Sequence, residues 1–583
     1  STIYYQQKTL TTKSIIADLM SQDSKKQCKA IKNISKLQSE ISPEKFRKEF
    51  MPFLLKCVSE EDDEVLSEIC KVSRDIFNCV GGKKYLKDIF PLVELLLHTC
   101  DPEVRKDTIT SFRHYIDKQD EFSDIEKELF EVIQKLAASE DPSHEIGFIA
   151  FSSEFFKDFK EKYRNHIYNI FKQFIEKKSQ GKLIKIELST NLYKLAPYLS
   201  KKDFTELFNL LMKDKLDSVR FNLVEALSNL KELSNLSGYG NFIGDSIVNF
   251  SQDESWRVRL MLAKYIPDLL ELSGKIQNNS EIKGIILKSY VKLLQDPEGE
   301  VRSMACKQLD VAAEYLGKED NFNKVLNCLK SLKSDSLPYV RNSLASIILS
   351  MAPKIGEKKT NEFIFPIFQD LIKDEDHDIR MVIIKNLDKL NEVVNIDNFV
   401  QGIIPSLIEI SNNNNWRVRC QVEETVPVFA RIVNKKLFFE NIMPICLKWL
   451  TDPVYAIRQR ACKIIIRLYD IFKGEDFEKQ LLSKVSSMAK SDSYLIRITA
   501  VILIREFLVD DYEIDDFMEK KLFPYISKLS DDKIPNLRQA CSIAVKKLVR
   551  LSKNKDVIKE CKSIIDELKK DKDMEVVYAI TDN

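Results

Sequence analysis

Asp253-Glu254-Ser255-Trp256-Arg257-Val258-Arg259 and Asn413-Asn414-Asn415-Trp416-Arg417-Val418-Arg419 are two copies of one pattern. The pattern extends in both directions. Arg220, Arg259, Arg302, Arg341, Arg380, Arg419, Arg458, Arg497 and Arg538 follow one another at intervals of 39, 43, 39, 39, 39, 39, 39 and 41 residues. A branched apolar residue precedes each of them: Val219, Val258, Val301, Val340, Ile379, Val418, Ile457, Ile496 and Leu537. Six residues before the arginine stands an aspartate in seven of the nine: Asp214, Asp253, Asp296, Asp335, Asp374, Asp452 and Asp532; the other two carry Asn413 and Ser491. Self-similarity at a fixed period of this size is the mark of a repeat architecture.

The content of one repeat follows from residues 403–433. Ile403 to Ile410 reads as a short amphipathic helix, and Ser411 to Asn415 as a polar turn. Val422, Val426, Phe429 and Val433 then recur at the helical period, so a second helix starts near Trp416. Two helices joined by a turn and repeated about every 39 residues make an α-solenoid. The expected fold is all-α, a right-handed superhelical rod of about fifteen repeats over residues 8–583. Such pairs bury their apolar faces only by stacking. Pro91, Pro366, Pro405, Pro444 and Pro524 lie 14 residues before their turn positions and are expected at first-helix starts, where a missing N–H costs least. Pro197, Pro267, Pro353 and Pro427 fall in second helices and are expected to bend them. The fourth turn, Glu140 to Glu145, and the fifth, Ser179 to Lys185, lack the arginine.

Composition agrees with a helical array. The chain has 583 residues, 44% of them hydrophobic, with only 14 glycines. Its 90 Lys+Arg and 89 Asp+Glu leave a net charge of +1. A nucleic-acid binder would carry a basic excess, so no nucleic-acid partner is expected. No apolar run approaches the length needed to insert in a membrane, and no signal peptide is visible. Twelve scattered cysteines without Cys-x-x-Cys spacing read as reduced, in the cytosol or nucleus.

The turns are the candidate sites. An aspartate there can accept N–H bonds from the following helix, and an arginine in a helix's first turn needs a compensating anion. The simplest arrangement pairs them between adjacent repeats, as a structural ladder of Asp214, Arg220, Asp253, Arg259, Asp296, Arg302, Asp335, Arg341, Asp374, Arg380, Arg419, Asp452, Arg458, Asp532 and Arg538. Trp256 and Trp416 stand three residues before the arginine in polar turns, and Tyr455 and Tyr494 repeat that placement. They either meet a partner, since Trp, Tyr and Arg dominate interface hot spots, or pack on the next turn. Trp449 lies within a first helix and reads as core. The acidic run Glu60-Glu61-Asp62-Asp63-Glu64 is a solvated turn or a dock for a basic surface. Gly238-Tyr239-Gly240-Asn241-Phe242-Ile243-Gly244 has a misplaced third glycine and no preceding strand, so it is no dinucleotide site. His98, His114, His144, His166 and His377 fall in different repeats without a second ligand. No catalytic residues, metal or cofactor are expected; the chain does not read as an enzyme.

These stretches, with Trp449-Leu450-Thr451-Asp452-Pro453-Val454-Tyr455-Ala456-Ile457-Arg458 and Ile384 to Val393, resemble the scaffold subunit of protein phosphatase 2A, a family of fifteen HEAT repeats. The resemblance runs from about residue 10 to the end and is densest after residue 205. It implies a non-catalytic scaffold in a hetero-oligomer. Repeats 1–8, residues 8–320, would hold a regulatory B-type subunit through Asp63, Glu64, Glu103, Asp217, Ser218, Trp256 and Arg257. Repeats 11–15, residues 399–583, would hold the phosphatase catalytic subunit through Trp416, Arg417, Tyr455, Tyr494, Leu495, Arg497, Pro535, Asn536 and Tyr578. The family's fifth turn carries a basic pair; here Lys185-Ile186 leaves one positive charge. The last repeat is expected to have a short second helix. Alternatives are a karyopherin-like transport adaptor, against which the short length and neutral charge weigh, a nucleic-acid-binding solenoid and an enzyme.

Overall fold

A computed structural model describes residues 12–59, 62–116, 119–139, 141–177, 181–277, 279–390, 396–508 and 514–581. The chain divides into two compact units, Ser1–Leu293 and Leu294–Asn583. In both, the described residues form helices and turns, without a strand. The architecture is an all-α array of helix pairs. Glu60 and Glu61 of the acidic run, Ser179 and Gln180 of the fifth turn, and residues 391–393 of the tenth repeat lie outside the described residues.

Second helices begin in one fixed register. They start at Asp217, Trp256, Gly299, Pro338, His377, Trp416, Tyr455, Tyr494 and Pro535, so each arginine of the series is the fourth helical residue. Side-chain caps set several starts. Asn415 accepts from the Arg417 N–H, Asp376 from Asp378 and Asp101 from Glu103. Each satisfies a backbone donor that has no partner inside the helix.

Pro91, Pro444 and Pro524 are each the second residue of a regular helix, Phe90–Leu97, Met443–Trp449 and Phe523–Leu529, as expected near first-helix starts. The spacing does not show that a wide π turn, Phe438–Ile442 or Met518–Leu522, precedes the helices of Pro444 and Pro524. Thr360–Ile364 before Pro366 repeats the arrangement, as does Phe46–Phe50 before Met51-Pro52. A proline ring cannot donate to the carbonyl four residues back and clashes with it; widening that turn removes the clash. At Pro405 the helix Ile396–Ser411 simply runs through. Among second-helix prolines, only Pro427 lies inside a continuous helix, Trp416–Ile432. At Pro197, Pro267 and Pro353 the helix breaks, and the proline enters the first turn of the next segment.

Cores form where successive pairs stack. In the N-terminal unit, Val219, Leu223, Val224 and Leu227 are buried with Phe208 and Leu211. Each such side chain contributes about 1.5–3 kcal/mol relative to exposure. The same unit holds an aromatic cluster: Phe155 meets Phe151, Phe112 and Phe122 at 4.6, 5.5 and 5.9 Å between ring centroids. Gly147 lets helix Pro142–Glu154 press on Leu97, whose carbonyl oxygen a Cβ at this position would overlap. In the C-terminal unit Trp449 is buried.

Candidate protein-docking surfaces

The turn arginines and aspartates build the frame from which the candidate side chains project. Within the N-terminal unit Arg220 grips both oxygens of Asp253, with Nε 2.7 Å and Nη2 2.9 Å away. Within the C-terminal unit five pairs repeat this fork at 2.6–3.0 Å: Arg302–Asp335, Arg341–Asp374, Arg419–Asp452, Arg497–Asp532 and Arg538–Asp571. The remaining guanidinium nitrogen reaches back to its own turn, as from Arg341 Nη1 to the Asp335 carbonyl at 2.8 Å. Each aspartate also accepts the N–H two residues on, as Asp335 does from Leu337. One carboxylate thus closes its own turn and receives the preceding repeat's arginine. Arg259 donates to the Asp253 carbonyl, and Asp296 accepts from the Glu298 N–H. The Arg538 guanidinium holds Asp571 below the usual carboxylate range. Burial raises Asp335 and Asp532, but their arginine and backbone bonds outweigh it and hold both low.

Two rungs differ where the aspartate is missing. Opposite Asn413, Arg380 reaches out to Glu409 at 3.2 Å, and its buried Nε has no hydrogen-bond partner. Opposite Ser491, Arg458 donates from Nε to the Thr499 hydroxyl at 3.1 Å. The N-terminal repeats carry substitutes that the arginine spacing does not reveal. Lys185 is the fourth residue of helix Lys182–Leu195, the arginine's position, and donates to Asp214 at 2.8 Å. Burial raises Asp214, yet Lys185 and the Leu216 N–H bring it below its ordinary value. The positive charge of Lys185 is therefore engaged inside the array. At the fourth turn the position holds a buried acid, Glu145, 3.4 Å from Lys177.

The candidate side chains sit on the opening turns of second helices. In the N-terminal unit, Glu64, Glu103, Trp256 and Arg257 are exposed and Asp217 and Ser218 partly so; the Asp63 side chain lies outside the described residues. Trp256 is 37% exposed, with the Arg257 guanidinium 5.8 Å from its ring centroid. Asp217 accepts from the Ser255 hydroxyl at 2.9 Å and lies 3.7 Å from Arg257, so these residues form one charged and aromatic corner. In the C-terminal unit, Trp416, Tyr455 and Tyr494 each open a second helix. Tyr455 and Tyr494 are 53% and 42% exposed; Trp416 is half-buried under Arg417, 4.7 Å above its ring. Leu495 and Tyr578 are exposed as well, and Pro535 and Asn536 open the helix Pro535–Leu551. Arg497 stands apart: it is buried in the Asp532 fork. Met574, the first residue of helix Met574–Thr581, is exposed and extends the same series of positions.

Stretches of the chain resemble known proteins. Residues 282–356 match the family described as PPP2R1A-like HEAT repeat, and residues 358–542 that described as PIK3R4-like, middle domain. The beta isoform of the human 65 kDa A-type regulatory subunit of Ser/Thr-protein phosphatase 2A is 37% identical over 112 residues, 18% of this chain and 19% of that one. The chain is similar to the A-type regulatory subunit of protein phosphatase 2A. Its Saccharomyces cerevisiae counterpart is 26% identical over 270 residues, 44% of this chain and 42% of that one. Rat Ser/Thr-protein phosphatase 4 regulatory subunit 1 is 23% identical over 250 residues, 42% of this chain and 26% of the relative. The matched stretches thus span between 19% and 42% of these relatives' length. A chain of the solved Kap95p–RanGDP structure shares the fold: TM-score 0.57 at 13% identity, covering 97% of this chain and 75% of that one.

No other kind of site stands out among the described residues. No group of His, Cys, Asp and Glu is placed to hold a metal ion, and no helix is long and apolar enough to cross a membrane. Gly240 opens the helix Gly240–Ser251 with no strand before it. Ten of the twelve cysteines are buried and all are free thiols; burial pushes Cys306 up to about 12.

Proposed function

We propose that this chain is the non-catalytic scaffold of a phosphatase 2A-type Ser/Thr phosphatase, in the cytosol or nucleus. It holds the catalytic subunit on the second-helix starts of residues 399–583 and a regulatory B-type subunit on those of residues 8–320. The observation that carries this reading is the placement of Trp416, Tyr455 and Tyr494 at the first residue of three successive second helices, two of them well exposed. A ladder fixes the register of those starts, so the rings are presented by pre-ordered helix ends and little entropy is lost on docking. Arg417, Leu495, Pro535, Asn536 and Tyr578 complete the surface; Arg497 acts behind it, through Asp532. Trp256, Arg257 and Asp217, with Ser218, Glu103, Glu64 and Asp63, form the regulatory-subunit side. Two proteins tethered to one scaffold meet at raised effective concentration. With Lys185 committed to Asp214, that lysine is not free to meet the regulatory subunit.

The test is binding by purified components. Trp416→Ala with Tyr455→Ala should weaken capture of a phosphatase 2A-type catalytic subunit by about 100-fold, as two central aromatic anchors would. Trp256→Ala with Arg257→Ala should leave that capture intact and weaken binding of a B-type subunit. Unchanged capture by the first variant overturns the assignment. Tighter binding to a phosphatase 4-type catalytic subunit would move the scaffold to that relative's complex, and binding to a small GTPase in place of either would favour the karyopherin-like role.

A further inference from the structure

A groove of about 1010 Å³ opens between the first helices of two successive repeats in the C-terminal unit, residues 435–449 and 475–489. None of its lining residues belongs to a second-helix start, so it is separate from the aromatic surface. Its walls carry Lys435, Lys436, Lys479 and Lys484 against Glu440 and Asp476. Lys435 pairs with Asp476 at 3.2 Å. Among the described residues, no carboxylate lies within ion-pair distance of Lys436, Lys479 or Lys484. Lys484 is only partly exposed, and its hydrogen-bond partner is a neutral one, the Thr451 hydroxyl at 3.1 Å. Burial pushes this ammonium below the ordinary lysine range. A half-buried cation without a counter-ion is costly to hold, and an arriving anion recovers that cost. Phe439 offers a partly exposed ring beside the lysines, and the Ser483 and Ser487 side chains supply hydroxyls.

We infer that this groove binds an acidic peptide segment of another protein, its carboxylates meeting Lys436, Lys479 and Lys484 and an apolar side chain lying against Phe439. The proposal does not depend on the phosphatase assignment. The volume suits a short extended segment better than a lone ion, and the mixed basic and apolar lining favours peptide over polyanion.

The test is fluorescence anisotropy of a dye-labelled Gly-Glu-Glu-Leu-Glu-Glu-Gly peptide titrated with the full chain, beside the same peptide with every Glu replaced by Gln. The acidic peptide should bind and the Gln peptide should not. Lys484→Met should weaken binding by at least about tenfold, as loss of one charge-assisted contact does, while Lys484→Arg retains most of it. If Lys484→Met perturbs folding, the exposed pair Lys436→Ser with Lys479→Ser decides, with a similar loss expected. Lys528→Ser, on the next repeat's first helix, should change nothing. Equal binding of both peptides, or lysine variants that bind like the parent, would overturn the proposal. So would full displacement by inorganic phosphate at the peptide's own concentration, which marks a small-ion site. Tighter binding of duplex DNA through the same lysines would overturn it too.

Discussion

Lys185 donates to Asp214 at 2.8 Å, at the helix position where later repeats place an arginine. Both side chains are largely enclosed, so the pair is worth more than a surface ion pair but less than a fully buried one. Lys185→Met should destabilise the N-terminal unit by about 1–3 kcal/mol, because it leaves Asp214 facing a removed partner. Adding Asp214→Asn should recover part of that loss. A double-mutant cycle by urea unfolding measures the coupling; additive losses would show that the two groups do not support each other.

Arg380 offers a gain rather than a loss. Its Nε is buried without a partner because position 413 is Asn, where a carboxylate would complete the fork. Asn413→Asp should raise the midpoint of thermal unfolding and add about 1–2 kcal/mol, the value of a charge-assisted bond that also satisfies a buried donor. Ser491→Asp should add less, since Arg458 Nε already donates to Thr499. An Asn413→Asp protein no more stable than its parent would mean that Arg380 is adequately served by Glu409.

Residue spacing carried the fold and the frame of the site; local shortening and charge reversal hid the rest. From Arg220 to Arg538 the interval rarely departs from 39, so a search for arginine finds nine successive second helices. Lys185 escapes that search because it is a lysine and lies only 35 residues before Arg220, about one helical turn short of the period. Glu145 escapes because a buried acid stands where a base is sought. The prolines mark regular-helix starts, but their spacing does not show the π turns that precede Pro366, Pro444 and Pro524 and relieve the ring's clash. The lysine groove was invisible for a third reason. It depends on two first helices lying side by side, and no one stretch of residues contains it.

His98 and His144 stack across adjacent repeats with ring centroids 3.9 Å apart. Burial and the neighbouring ring push His98 down to about 4, while Asp141 opposes the shift. Above the unfolded value of 6.5 neither state binds a proton there, and the pair costs nothing. As pH falls from 6.5 to about 4, the unfolded chain takes up the proton first, so stability is lost through that window. Between pH 7.5 and pH 5 the parent should lose about 1–2 kcal/mol more than His98→Phe, which keeps the stacked ring without the charge. Parallel losses in the two proteins would remove the histidine pair from the acid response.

Glu423 works with the opposite sign. It is buried in helix Trp416–Ile432, about two turns after Trp416, with the weakly donating Cys420 thiol beside it and no stronger donor on either carboxyl oxygen. Burial pushes it up to about 8, with Asp452 adding to the shift and Arg460, the Cys420 thiol and Arg419 opposing it. Below the unfolded value of 4.5 the group is protonated in both states and costs nothing. Between 4.5 and about 8 the unfolded chain releases its proton while the folded chain keeps it, so stability falls as pH rises. Glu423→Gln keeps the shape and removes the titration. It should be more stable than the parent by about 1–3 kcal/mol at pH 7.5 and equally stable near pH 4.5. The same substitution should leave the Trp416 ring in place, so catalytic-subunit capture should be unchanged while thermal stability rises. A Gln variant less stable than the parent at pH 7.5 would show that the carboxylate is ionised and engaged there, most simply with Arg460.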